Sequence, residues 1–193
     1  ILTKIVDRES DTIREAAERI VRRVEEDRLI HVFGSGGHSI MGAMELFWRA
    51  GGLANINPLF PAGLSLIDSH PNIERTTGLA ESVLKFYGVD RGDILVIINR
   101  NLHDLAATVI DVHVPAGDSL LDIPGVEQKV AASSTYAICF AVNLLSAEII
   151  RQLTEKGITA PVWKSANIAG GDEANQRYLA EYRSRVHHLY PMF

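Results

Sequence analysis

The stretch Leu29-Ile-His-Val-Phe-Gly-Ser-Gly-Gly-His-Ser39 constrains the fold of this chain more than any other. A short apolar run ends in three glycines, a histidine and a serine, and an amphipathic segment from Ile40 to Ala50 follows. That order predicts a strand, a tight glycine loop and a helix N-terminus. The first backbone N–H groups of a helix lack internal partners and lie at the positive end of its dipole, so such a junction binds anions. Glycine lets the main chain approach a ligand where a Cβ would clash. The loop reads as a site for a phosphate-bearing ligand or, in the plainer alternative, as a strand-to-helix turn without one.

The type of loop narrows the ligand. A dinucleotide fingerprint requires G-x-G-x-x-G and an acidic residue about 20 positions further on. Here Ser39 stands where the third glycine belongs, and the next apolar stretch ends in Asn55-Ile56-Asn57-Pro58, without an acid. The Gly-Lys-Ser/Thr of a Walker A loop is also absent. A hydroxyl-bearing loop suited to a phosphate or to sugar oxygens remains, and NAD binding is disfavoured.

At 193 residues the chain suits a single domain over 1–193 that opens with a helix. A net charge of −5 with no basic block gives no reason to expect nucleic acid or a membrane surface as partner. The lone Cys139 excludes an internal disulfide framework and suits the cytoplasm. The longest apolar segment, Tyr136 to Ile150, is shorter than the ~20 residues of a membrane span and carries Asn143 and Glu148, so it reads as a buried helix.

Apolar residues at Ile5, Ile13, Ala17, Ile20 and Val24 predict an amphipathic helix over 4–28. A strand over 29–33, a helix to about Ala50 and a strand over 53–56 follow, then a loop over 58–71 and a helix over 73–87. Asp93-Ile-Leu-Val-Ile-Ile98 predicts a strand covered on both faces, and Thr108–Val112 a further one. A helix over 134–156, a last strand at 162–163 and a helix over 173–188 complete an α/β, doubly wound pattern. One junction is too short. Parallel neighbours need a crossover of a dozen or more residues, and only 99–107 separate the strands at 94–98 and 108–112. A segment is therefore expected to be missing near 99–101, unless the two strands are antiparallel or not adjacent.

Gly37-His38-Ser39 with Glu45-Leu-Phe-Trp-Arg-Ala-Gly-Gly52 resembles the first loop and helix of the SIS (sugar isomerase) family. Glu74-Arg75-x-x-Gly78-x-Ala80, Pro115-x-Gly117-Asp118 and Ser133-Ser134-Thr135 resemble its middle segments. Pro161-Val-Trp-Lys-Ser-Ala-Asn167 with Gly170-Gly-Asp-Glu-x-Asn175 resembles its C-terminal signature. The order and spacing carry the resemblance, which points to the small bacterial subgroup labelled phosphoheptose isomerases. It implies a five-stranded parallel sheet between helices, a sugar phosphate bound at the carboxyl ends of the strands, and a homodimer or homotetramer with shared sites. It calls for no cofactor. The family's second phosphate loop follows the strand matching Ile94–Ile98, and in this chain Asn99 stands there.

The resemblance and the residues together nominate a site. Gly36, Gly37, His38, Ser39, Asn99, Ser133, Ser134 and Thr135 are expected to bind substrate, the last three alternatively capping a helix. Glu45, six positions beyond Ser39 among apolar neighbours, suits proton transfer in an aldose–ketose isomerisation, or else pairs with Arg49 at i+4. His38 and His70 are the candidate assisting acids or bases. His187 and His188 read as surface or interface residues. No residue set has metal-ligand spacing, although His103, Asp111 and His113 can converge. The alternative to an isomerase is a non-catalytic phosphosugar sensor on the same fold.

Overall fold

The computed structural model describes residues 1–34, 39–64, 72–73, 75–99 and 103–192. Its first helix, α1 (Leu2–Glu25), buries Ile5, Ile13, Ala17, Ile20 and Val21 along one stripe. The opposite face carries Glu15–Arg19 and Glu18–Arg22 ion pairs at i+4, each exposed and worth about 0.3–0.5 kcal/mol. Strand β1 (Ile30–Gly34) leads into α2 (Ser39–Leu46), and β2 (Ile56–Leu59) follows. After α3 (Leu79–Phe86) and β3 (Ile94–Ile98), a hairpin of β4 (Ser119–Leu121) and β5 (Val130–Ala132) precedes α4 (Ser134–Glu155) and α5 (Gly171–Tyr182).

The parallel sheet has the order β2-β1-β3, with Ile30 opposite both Ile56 and Ile94. Alternation along the central strand decides its two faces. Ile30 and Val32 join the apolar side chains of α1, α2 and α4 in the main core. His31 points to the other face, where its Nδ1 lies 3.1 Å from the Asn57 amide nitrogen. The long core helix α4 packs on α1 and α2 through Ala137, Ala141, Val142, Leu145, Ile149 and Leu153. It is long and apolar enough to cross a membrane by length and composition alone; here its apolar side is the centre of the domain. The Gln152 amide donates to the Arg14 carbonyl at 3.0 Å and joins the two long helices.

A second core gathers Ala54, Trp163, Tyr178, Leu179, Tyr182, Val186 and Leu189 around α5. The two tryptophans Trp48 and Trp163 stack at 4.9 Å. Gly51 N–H donates to the Trp163 carbonyl at 2.8 Å and Trp163 N–H to the Gly52 carbonyl at 2.9 Å, so the segment after α2 is pinned to the segment before α5.

The fold is α/β as expected, but the described residues form three parallel strands rather than five. Thr108–Val112 is not a strand, because with no crossover it does not reach a parallel partner. The Asp111 amide turns instead to the Glu9 carboxylate at 3.4 Å, and the His113 amide to the Asp111 carboxylate at 2.7 Å. Val162 makes a single antiparallel bridge to Leu53. The second helix stops at Leu46, short of Ala50, because Trp48 adopts a left-handed backbone at φ 54°. The second strand is shifted to Ile56–Leu59 and accepts Pro58 because it is a sheet edge. The helix expected from 73 begins only at Leu79, and the last helix ends at Tyr182, before a 3-10 segment over His187–Met192.

Candidate functional site

The site is built where β1 meets α2, at the carboxyl edge of the sheet. An added Cβ on Gly34 would lie 2.3 Å from the Ser39 carbonyl oxygen and 2.7 Å from the Ile40 Cα. The strand end and the helix start thus touch main chain to main chain, a contact only glycine permits. Ser39 opens α2 at its positive end. β3 runs parallel to β1 with Ile98 opposite Gly34, so Asn99, half-buried, follows at the same edge. Gly36, Gly37, His38 and His70 lie outside the described residues.

Glu45 projects between α2 and α4. One carboxylate oxygen accepts from the Asn143 amide at 3.1 Å and the other lies 3.4 Å from the Arg49 Nε. Its side chain is 26% exposed, so it is partly screened from water. The Arg49 pairing raised from the sequence is therefore formed, and Asn143 joins it. Burial, with the Glu45 charge nearby, pushes the Cys139 thiol above its usual range.

Ser133 and Ser134 are engaged by Asp118. Its carboxylate accepts from the amides of Ser133 at 2.9 Å and Ser134 at 2.6 Å, and from the Ser134 hydroxyl at 2.8 Å. The Ser133 hydroxyl donates to the Asp118 carbonyl at 2.7 Å. An internal carboxylate thus occupies the anion position at the N-terminus of α4; Ser133 makes no side-chain cap hydrogen bond of its own, and the cap comes from a residue 15 positions away. Thr135 is half-buried on the first turn. Asn143 lies nine residues beyond Ser134 on α4, a rise of about 13 Å, so Glu45 and the Ser133–Thr135 hydroxyls are not neighbours.

Partial burial pushes the Asp118 carboxyl up, but the hydrogen bonds from Ser134 and Ser133 outweigh it and hold the group below its ordinary 3.8. A depressed carboxylate contributes stability that is present above the unfolded value and is lost as pH falls through the folded one. Asp118→Ala is expected to cost about 1–2 kcal/mol at pH 7, the usual worth of a helix cap. Thermal melts should show that gap closing once the pH falls below 3.8.

Two histidines have close partners, of which the sequence anticipates only Asp111 beside His113. His113 Nε2 lies 2.9 Å from the Glu9 carboxylate and Nδ1 lies 3.5 Å from that of Asp111. Glu9 does leave a sequence signal, since it interrupts the apolar stripe between Ile5 and Ile13. No cluster of three or more metal-ligating residues occurs among the described residues. His188 is half-buried rather than a surface residue. Its Nε2 lies 3.2 Å from the Tyr87 hydroxyl, and burial lowers its basicity, with His187 adding to the effect. His187 is exposed, and its main-chain N–H donates to the Asn57 side-chain Oδ1 at 3.2 Å.

The amino edge of the sheet holds a polar cavity of about 370 Å³ lined by Arg28, His31, Tyr87, Asp90, Asp93 and Arg185. His31 Nε2 lies 3.5 Å from the buried Asp93 carboxylate, and Arg28 lies 3.3 Å from it. Burial lowers the His31 pKa and Asp93 opposes that shift. The C-terminal signature is a structural clasp. The Asn175 amide bonds both the N–H and the C=O of Lys164 at 2.8 Å.

Comparison with known sequences locates the chain among its relatives. The SIS domain profile matches residues 1–103, more than half of the chain. A UPF0309 protein of Streptomyces griseus is 31% identical over 96% of this chain and 92% of its own length. A UPF0309 protein of Brucella anthropi is 31% identical over 97% of this chain and 94% of its own length. The UPF0309 protein TTE0306 of Caldanaerobacter subterraneus is 30% identical over 97% and 95%. These relatives do not carry the phosphoheptose isomerase label. With its glycine junction at the carboxyl edge of a parallel sheet and this match, the chain belongs to the SIS domain family.

Proposed function

We propose that this protein binds a sugar phosphate at the carboxyl edge of its parallel sheet and interconverts its aldose and ketose forms. The observation that carries the reading is the main-chain contact of Gly34 with Ser39, which brings the strand end onto the positive end of α2. That geometry suits a phosphate, and membership of the SIS family supports a carbohydrate-derivative ligand. Gly36, Gly37, His38, Ser39 and Asn99 hold the ligand. Thr135 contributes beside them, and Ser133 and Ser134 contribute only where Asp118 yields its hydrogen bonds. Glu45 takes the proton from the carbon beside the carbonyl, an enediol forms, and the proton returns to the adjacent carbon. His38 or His70 moves the proton between the two oxygens. The protein acts in the cytoplasm as a homo-oligomer.

A second reading, a phosphosugar sensor without turnover, is favoured by one observation: Glu45 already has two partners, Asn143 and Arg49. A thermal-shift panel of aldose and ketose phosphates of three to seven carbons tests the common core of both. NAD, NADP and unphosphorylated sugars serve as controls. A ligand at ~100 times its dissociation constant adds about 2.7 kcal/mol of stability. Stabilisation by one or two sugar phosphates is expected. Stabilisation by a dinucleotide alone overturns the reading. Proton exchange from the bound sugar in heavy water then separates the enzyme from the sensor.

A further inference from the structure

The face of the sheet turned away from the main core carries a row of buried polar groups. β1 sets His31 opposite Asn57 of β2, and the two are 3% and 1% exposed. Hydrogen-bond polarity fixes which of their atoms carry protons. The main-chain N–H of His187 can only donate, so the Asn57 atom 3.2 Å away is the oxygen Oδ1. The Tyr87 carbonyl can only accept, so the Asn57 atom 3.4 Å from it is the nitrogen Nδ2. The two constraints agree, and they leave Nδ2 facing the His31 Nδ1 at 3.1 Å as a donor. Nδ1 is therefore the bare nitrogen of a neutral ring. Nε2 carries the hydrogen, 3.5 Å from the Asp93 carboxylate.

The row ends on the C-terminal 3-10 segment. Val186 and Leu189, both 0% exposed, flank His187 and belong to the second core. His188 seats its ring 5.1 Å from that of Phe60, at the end of β2. Asn57 is thus the polar tie between this segment and the sheet, and its orientation depends on the protonation of His31.

A proton on the His31 Nδ1 would set two donors face to face. Turning the Asn57 amide over relieves that pair but sets Nδ2 against the His187 N–H instead. In either case a buried donor loses its acceptor, which is costly. We infer that His31 is a proton-operated latch: its neutral form orients Asn57, Asn57 holds the main chain of the C-terminal segment at His187, and protonation of His31 frees that segment and uncovers Val186 and Leu189. The polar cavity at the amino edge reaches the ring and gives solvent protons a path to it.

The surrounding charges set the direction. Asp93 and Asp90, ahead of β3, favour the charged ring, and Arg28, ahead of β1, lies 3.3 Å from Asp93 and offsets it. Glu26, Asp27 and Arg185 line the same cavity, the last two paired at 2.9 Å. Tyr87 is neutral, because burial raises it above its ordinary 10.0. Burial outweighs the two acids and holds His31 below its ordinary 6.5. The freed ring takes up a proton more readily than the latched one, so latching is complete above 6.5 and weakens as the pH falls from there toward the lowered value.

Amide hydrogen exchange of the whole chain between about pH 8 and about pH 5, the range over which a histidine changes charge, tests the latch once corrected for the intrinsic effect of pH. Protection of the His187 and Leu189 amides is expected to fall below pH 6.5 by up to about tenfold per unit, the limit for one proton. Leu145 and Ile149 in the main core should keep theirs. His31→Asn sets an oxygen that does not titrate near the place of Nδ1. Asn57→Asp offers acceptors both to the His187 N–H and to a charged His31. Both variants are expected to keep His187 and Leu189 protected across the whole range. Equal protection of the wild-type segment at both ends of the range overturns the inference. So does a loss that survives in either variant, which moves the titration to His188. Parallel loss at Leu145 also overturns it, because the chain then opens as a whole.

Discussion

Replacing Gly34 by alanine is expected to lower stability by about 3 kcal/mol, the upper part of the usual range for overpacking. In a domain of this size that corresponds to roughly 6–12 °C in Tm. The new methyl group would lie 2.3 Å from the Ser39 carbonyl oxygen, and main chain on both sides leaves no side chain to swing away. β1 and α2 would have to separate, and the sugar-phosphate stabilisation should vanish with them. Gly88→Ala is the matched control. Its φ is 68°, but among the described residues no atom beyond its two chain neighbours lies within 4 Å of the added Cβ, so only the left-handed penalty of about 1–2 kcal/mol applies. Thermal melts of the two variants separate crowding from backbone conformation. Equal losses would remove the close approach of strand and helix from the account of the site.

Glu45→Gln is expected to reduce solvent-proton exchange from the bound sugar by about 10²–10⁴-fold, the usual contribution of a positioned acid or base. Binding should survive, because the glutamine carbonyl still accepts from Asn143. The exposed Arg49 pair that is lost is worth at most about 1 kcal/mol. The decisive comparison is turnover against ligand-induced thermal shift in the same variant. Full turnover in Glu45→Gln would remove this residue from the mechanism. Unchanged binding with no exchange in either protein would favour the sensor.

The elements that were legible in the sequence are those whose pattern is local. The stripe of α1, the apolar run of α4 and the apolar strand β1 ending at Gly34 follow from spacing within one segment. The five-stranded expectation failed at Thr108–Val112, where a strand-like composition has no connection long enough to place it beside a parallel neighbour. β2 moved toward Pro58 because the rule against proline applies to inner strands, and this one is an edge. At the site, the role of Ser133 and Ser134 was hidden because their partner, Asp118, reaches them across the β4–β5 hairpin. His188 was misread for the same reason: the Tyr87 that holds it is 101 residues away. Periodicity reports a residue's own element, and these contacts are made by another.

The pairing of α1 with α4 sets an order of events during synthesis. Residues 2–25 leave the ribosome well before the helix that covers Ile13, Ala17 and Ile20, which begins only at Ser134. At about 5–20 residues per second, the intervening stretch takes roughly 5–25 s to emerge. Throughout that interval the apolar stripe of the first helix lacks the long helix that supplies most of its cover. A nascent chain arrested before residue 134 should therefore be protease-sensitive along α1 and bind holdase chaperones, and one released past residue 155 should lose both properties.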